Sequence, residues 1–284
     1  MKNVLVTGAS SGIGHACALE LANRGFRVFA GVRKTSDADR LEREGNGRIE
    51  AVTIDVTDEA SVRAAADFVS ARVGDAGLDG LVNNAGIGRV TAIEHAPMEV
   101  FREVFEVDFF GQIAVIRAFL PLVRRARGRI VQIGTVGSHL ALPFGSPLGA
   151  AKAAFRTLSD VLRMELRPFG IHVSVVEPGA IRTPAVEKTL GDVDGTIRAL
   201  GPVGAERYGA AIRAMMRRGR DLEMHGSPPS VVARAVHRAL TARRPRRTYL
   251  AGRASRLLTA ARVLPWALID RIMTGLVLAP ARDV

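Results

Sequence analysis

Eight residues near the start of the chain, Thr7-Gly8-Ala9-Ser10-Ser11-Gly12-Ile13-Gly14, have the types and spacing to cradle a phosphate. They lie between a short apolar run, Val4-Leu5-Val6, and a segment from Gly12 to Arg24 with helical period. That strand–loop–helix setting is the one in which a glycine loop binds the diphosphate of a dinucleotide. Gly8 allows the tight turn, Gly12 lets the backbone approach the pyrophosphate, and Gly14 lets helix pack on strand. The helix N-terminus adds free N–H groups and a positive dipole end. Ser10, Ser11 and Ile13 complete the set of loop contacts.

The elements that must hold this loop are marked by the alternation of short apolar runs with helical segments. Strand-like runs fall at Arg27–Gly31, Ile49–Ile54, Leu78–Val82, Arg129–Ile133, His172–Val176 and Thr248–Ala251. Helical patterns fall at about Pro97–Arg125 and Pro147–Arg167, and again after Ser230. Such runs predict an α/β fold, a doubly wound parallel sheet of the Rossmann type, with its ligand crevice at the carboxyl ends of the strands. Residues 1–252 read as one dinucleotide-binding domain. Within it, Pro184–Pro229, rich in Gly, Arg and Ala with weak helical stretches around Thr196 and Ala210–Arg218, reads as a lid over the substrate. Residues 253–284 read as an amphipathic helical extension that caps the fold, mediates a dimer or touches a membrane surface.

Of 284 residues 48% are hydrophobic, enough for a substantial core. The net charge of +12 comes from a high Arg content, and with only 5% aromatic residues there is no stacking pattern for single-stranded nucleic acid. A single cysteine, Cys17, excludes an internal disulfide and reads as a buried small hydrophobe. The first strand starts almost at Met1 and the apolar stretch Val263–Leu278 is interrupted by Asp270 and Arg271, so a cytoplasmic protein without a spanning helix is expected. No metal site is expected.

The spacing Thr-Gly-x-x-x-Gly-x-Gly resembles the short-chain dehydrogenase/reductase family. Further segments carry the same resemblance over about residues 1–250: Asp55-Val56 after the third strand, Asn83-Asn84-Ala85-Gly86 after the fourth, and Glu177-Pro178-Gly179-Ala180-Ile181-Arg182-Thr183 after the sixth. The resemblance implies that Asp55 and Val56 contact adenine. It implies that Asn84, Ala85 and Gly86 pack beside the adenine ribose, and that Pro178, Gly179, Ile181 and Thr183 hold the nicotinamide amide. The tail, from Leu257-Leu258 through Leu264-Pro265 to Ile269-Asp270-Arg271, resembles members near the 17β-hydroxysteroid and retinol dehydrogenase group, which implies a bulky apolar substrate. Members of the family commonly form homodimers or homotetramers.

The end of the second strand separates NAD from NADP, because an acid there binds the ribose hydroxyls and repels a 2′-phosphate. The position is Val32, followed by Arg33 and Lys34. A guanidinium grips a phosphate through two parallel hydrogen bonds, so the expected cofactor is NADP(H), with Ser11 adding a hydroxyl contact.

Family members reduce ketones with an Asn-Ser-Tyr-Lys set. Here the Lys is Lys152, the Ser position is Thr135 and the Asn position is Asp108. The Tyr position, one helical turn before Lys152 and so on the same face, is Leu148. Leucine has no proton to give, and a positioned general acid contributes about 10²–10⁴ in rate. The reading preferred is an NADPH-dependent reductase of a bulky, aromatic or polyketide-like ketone or enone. Its proton comes from an acidic substrate, from a water held between Asp108 and Lys152, or from Ser138, His139, Ser146 or Tyr208 around the expected substrate pocket. Ser146 is also placed to cap the following helix. The alternatives are an NADP(H)-binding sensor without chemistry, and an isomerase or dehydratase on the same fold.

Overall fold

The structure, a computed structural model, describes residues 1–261 and 263–278. Its centre is a seven-stranded, wholly parallel sheet: β1 (Asn3–Val6), β2 (Arg27–Val32), β3 (Ile49–Thr53), β4 (Gly80–Asn83), β5 (Arg129–Ile133), β6 (His172–Pro178) and β7 (Thr248–Ala251), in the order β3-β2-β1-β4-β5-β6-β7. The order reverses between β1 and β4, and the crevice that this reversal opens lies beyond their carboxyl ends.

One face is covered by α1 (Gly12–Asn23), with α2 (Thr35–Glu44) at its edge; the other carries α3 (Glu59–Val73), α4 (Met98–Phe105), α5 (Gly111–Ala126) and α6 (Ser146–Leu166). Side chains alternate through the strands to serve both layers. Val4, Val6, Val28, Ala30 and Val82 meet Cys17, Ala18 and Leu21 of α1, while Leu5, Phe29, Leu81 and Ile130 meet Val69, Val115 and Phe119. Full burial of a side chain such as Phe119 stabilises by about 2–3 kcal/mol. Burial pushes the Cys17 thiol far above its ordinary range, as expected of an inert core residue.

The expected helix at 97–125 forms, with one departure. Between α4 and α5 the chain makes a single π turn over Glu106–Phe110. A π turn adds a residue to the helical count and rotates the helix beyond it.

The segment 184–229 is more ordered than its composition suggests. It forms α7 (Pro184–Leu190), α8 (Val193–Arg198) and the 24-residue α9 (Gly201–Met224). Ile212, Met215 and Met216 of α9 lie at helical spacing and build a small core of their own with Ala92 and Leu200. Gly204 and Gly209 share that buried face, where their lack of a side chain weakens the apolar signal, and the arginines lie outside it.

After α9 come α10 (Ser230–Thr241), which joins α1 on its face of the sheet, and β7. The extension then forms α11 (Ser255–Ala261) and α12 (Trp266–Leu278). Ile269 is buried, while Leu257 (73% exposed), Val263 and Trp266 stand in solvent. Arg262 and residues 279–284 of the expected extension lie outside the described residues. No described helix is long and apolar enough to cross a membrane.

Candidate cofactor and active site

The glycine loop adopts the conformation that its residue types allow. Gly8 (φ +62°) and Gly12 (φ +58°) lie in the left-handed region. At Gly14 a Cβ would sit 2.2 Å from the Gly8 carbonyl oxygen and 2.5 Å from Asn84 Nδ2, so only glycine fits. Helix α1 has Ser11 at its N-cap, no side-chain cap and no acid in its first turn, which leaves its opening N–H groups for an anion. These features fit a diphosphate. Asn84 braces the loop: its Nδ2 donates to the Thr7 carbonyl (2.9 Å) and the Gly8 carbonyl (3.2 Å), and its backbone N–H and that of Ala85 donate to Thr7 Oγ1.

At the end of β2, Val32 is buried, and Arg33 and Lys34 are exposed with no side-chain hydrogen bond or ion pair among the described residues. Asp55 Oδ1 accepts from the Thr57 N–H (3.0 Å) and hydroxyl (2.8 Å), while Val56 is buried. The Thr57 backbone bond, helped by its hydroxyl and the nearby Arg33 charge, holds the Asp55 carboxyl below the usual range against a burial cost. Arg40 of α2 carries no motif in the sequence. Its Nη2 donates to the Ser10 carbonyl at 2.5 Å, which places a further cation beside the loop.

Lys152 on α6 and Asp108 on the π turn meet directly, Nζ to Oδ1 at 2.9 Å, with the lysine side chain 9% exposed and the aspartate fully buried. Asp108 Oδ2 accepts from the Ile87 N–H (2.9 Å), and Lys152 Nζ also donates to the Ile133 carbonyl (3.3 Å). Gly86 closes over the pair, since a Cβ there would lie 2.7 Å from Asp108 Oδ1. The two groups are thus in direct contact rather than spaced by an interposed water, and Asp108 Oδ1 makes no hydrogen bond among the described residues. Leu148, one turn before Lys152, is half-buried. Thr135 Oγ1 accepts from the Gly137 N–H (3.1 Å) and so caps a short 3-10 turn.

The expected pocket residues divide. His139 turns away to a buried cluster, its Nε2 3.0 Å from Glu177 Oε2, with Arg156 on the other oxygen of the carboxylate. It is corrected from a pocket residue to a partner of Glu177. Arg156 follows Lys152 by one helical turn, a spacing that could have marked it in the sequence. Ser138 Oγ donates to the Thr135 carbonyl (2.8 Å). Ser146 does not cap α6: Gly145 is the N-cap, and Ser146 Oγ is buried with no hydrogen-bond partner. Tyr208 of α9 donates its hydroxyl to Glu94 Oε2 (2.6 Å), and that bond pushes the phenol above its ordinary range. Its proton is committed, which corrects it as a proton source. Its ring packs on Phe144 and His95 at the edge of a 440 Å³ cleft, lined also by Thr91, Ala92 and Ile93.

The Pro178–Thr183 segment completes the crevice. Thr183 lies against Gly12, 3.2 Å from a Cβ built there, so this segment and the glycine loop are neighbours. At Gly179 a Cβ would sit 2.1 Å from the Arg253 carbonyl oxygen, so this glycine admits the extension rather than a ligand. The Ile181 N–H donates to Glu223 Oε2 of α9 at 2.8 Å, a contact with no sequence signal.

Comparison with known proteins agrees with this geometry. The short chain dehydrogenase family model matches residues 2–193. The chain is 37% identical to human retinol dehydrogenase 5, covering 99% of this chain and 90% of that protein. It is 35% identical to 17-beta-hydroxysteroid dehydrogenase type 6 of Rattus norvegicus, covering 100% and 91%. A short-chain dehydrogenase from Streptomyces avermitilis has the same fold, with a TM-score of 0.74 and 30% identity over 100% of this chain and 98% of that one. With a matching glycine loop, sheet order and buried lysine, the chain belongs to the short-chain dehydrogenase/reductase family of oxidoreductases.

Proposed function

We propose that the protein is an NADP(H)-dependent oxidoreductase acting on a bulky apolar ketone or enone, within the size class of the retinoid and steroid substrates named for its relatives. An aromatic or polyketide-like carbonyl falls in the same class. The observation that carries the cofactor choice is at the end of β2: Val32 is buried where an acid would be needed for NAD, and Arg33 and Lys34 stand exposed and unpaired. A bound NADPH would supply a hydride, to the carbonyl carbon of a ketone or to the β-carbon of an enone.

The chain's own residues bind and orient. The glycine loop and the α1 N-terminus hold the diphosphate, Arg33 and Lys34 the 2′-phosphate, and Pro178–Thr183 the nicotinamide amide. Lys152 contributes a positive charge near the nicotinamide ribose, held in place by Asp108. Proton delivery needs no Tyr at 148 in two cases: a phenol beside the ketone gives its own proton to the alkoxide, and an enone yields a delocalised, weakly basic enolate that takes its proton from solvent water. Segment 184–229 acts as the lid, and the cleft by Phe144 and Tyr208 receives the apolar body. Phe110, Val161 and Met164, exposed on the π turn and α6, are proposed as contacts of a homo-oligomer. No nucleic acid partner is proposed, and the setting is cytoplasmic.

One observation favours a second reading, an NADP(H)-binding sensor. Lys152 is already engaged by a direct carboxylate contact, and the phenol it would activate is absent. A single experiment separates the two. Purified protein is mixed with NADPH and a panel of retinoid, steroid and aromatic ketones and enones, and loss of NADPH absorbance is measured. Turnover of any acidic or conjugated carbonyl supports the reductase. Tight NADPH binding without turnover supports the sensor. Absence of NADPH binding overturns both.

A further inference from the structure

The Ile181 N–H has two claimants. The chain around it is tied on one side by backbone pairing: Ser227 N–H donates to the Ala180 carbonyl (3.0 Å), the Arg182 N–H donates to the Ser227 carbonyl (3.0 Å), and the Ala180 N–H donates to the Arg253 carbonyl (3.1 Å). The Ile181 N–H points elsewhere and meets Glu223 Oε2 at 2.8 Å. Glu223 belongs to the last turn of α9, 42 residues further along the chain. It is half-buried, and burial raises its carboxyl above the ordinary range while the Ile181 bond opposes that rise. A carboxylate drawn out of water onto one backbone donor is a strong acceptor, but one that loses hydration to be there.

The proposed cofactor mode gives the same segment, Pro178–Thr183, to the amide of the nicotinamide. Thr183 beside Gly12 shows that this segment borders the cofactor loop. One N–H cannot serve both a carboxylate and an amide oxygen at full strength. We propose that Glu223 is a latch on the Ile181 N–H of the cofactor-free protein, and that the nicotinamide amide of the cofactor displaces it. The last turn of α9 and the nicotinamide end of the cofactor then compete for one donor. Glu223 acts as a positioning residue: it sets how strongly the nicotinamide end is held and couples that grip to the lid. This inference rests on the proposal that the crevice binds NADP(H).

Two ligands separate the latch from that proposal: NADP⁺, and 2′-phosphoadenosine diphosphoribose, which keeps the diphosphate and the 2′-phosphate but lacks nicotinamide. Affinities are measured by calorimetry for the wild type, Glu223→Gln and Glu223→Ala. The latch predicts that Glu223→Ala binds NADP⁺ about five- to tenfold more tightly, the effect of removing a competing hydrogen bond to a carboxylate, with the fragment unchanged. Glu223→Gln keeps the shape and the acceptor but not the charge, and falls between. Hydrogen exchange gives a readout independent of affinity: the Ile181 amide of free Glu223→Ala exchanges faster than in the wild type and is protected again by NADP⁺ but not by the fragment. Equal changes for both ligands, or weaker NADP⁺ binding by either variant with the fragment unchanged, overturns the latch. A wild type that binds neither ligand overturns NADP(H) binding itself, and the latch with it.

Discussion

Asp108 and Lys152 form a closed pair at the carboxyl ends of the strands, 2.9 Å apart, one fully buried and the other nearly so. Burial makes each group depend on the other. Removing one partner of such a pair leaves an uncompensated buried charge and costs about 3–5 kcal/mol. Lys152→Met is expected to lose about that much stability in denaturant unfolding, and the double variant Asp108→Leu/Lys152→Met less than the sum of the two single changes. Additive losses would show that the two groups do not sense each other.

Arg33 stands exposed at the end of β2 with no side-chain hydrogen bond or ion pair among the described residues, its charge acting only at longer range on Asp55. Arg33→Asp removes the proposed ligand of the 2′-phosphate and adds a repelling charge. NADPH affinity is expected to fall by about ten- to hundredfold, from one lost charged hydrogen-bond set of about 1.5–3 kcal/mol, with NADH affinity little changed. Equal loss for both cofactors in a fluorescence titration removes Arg33 from the phosphate site.

Leu148 and Lys152 share one face of α6, one turn apart. Leu148→Tyr places a phenol where an ammonium can lower its pKa. Turnover of simple ketones lacking an acidic group is expected to rise by about 10²-fold, the lower end of what a general acid contributes. Unchanged turnover would mean that the Asp108 contact holds Lys152 out of reach.

Arg247, just before β7, donates Nε to Asp160 Oδ1 of α6 at 2.7 Å. That bond holds the Asp160 carboxyl below its usual range and raises Arg247. A depressed carboxyl contributes stability that is present above the unfolded pKa of about 3.9 and lost as the pH falls through the folded value. Arg247 is half exposed, so the contribution is small, about 0.5–1 kcal/mol. Asp160→Asn is expected to unfold at lower denaturant than the wild type at neutral pH, and the gap is expected to close in acid. A gap that persists in acid assigns the loss to packing instead.

The sheet and the glycine loop are legible in the sequence because each rests on local patterns: short apolar runs and glycine spacing. What the sequence hides is partnership across the fold. Asp108 reads as able to hold a water, but the π turn at Glu106–Phe110 swings it onto Lys152. His139 reads as a pocket residue because it lies in the loop after β5, yet the buried Glu177 carboxylate with Arg156 draws it inward. Glu223 carries no motif, because its contact depends on where the end of α9 lands. The long α9 gives a weak signal because two of its five buried positions, Gly204 and Gly209, are glycines and its other faces are rich in arginine.

The six residues from Pro178 to Thr183 touch four remote parts of the chain: Arg253 through Gly179 and Ala180, Ser227 through Ala180 and Arg182, Glu223 through Ile181, and Gly12 through Thr183. A stretch so fastened works as a mechanical junction. The C-terminal extension cannot shift at Arg253 without tugging the same peptide that borders the glycine loop. The start of the extension at Arg253 and the border of the glycine loop are thus joined through one short peptide.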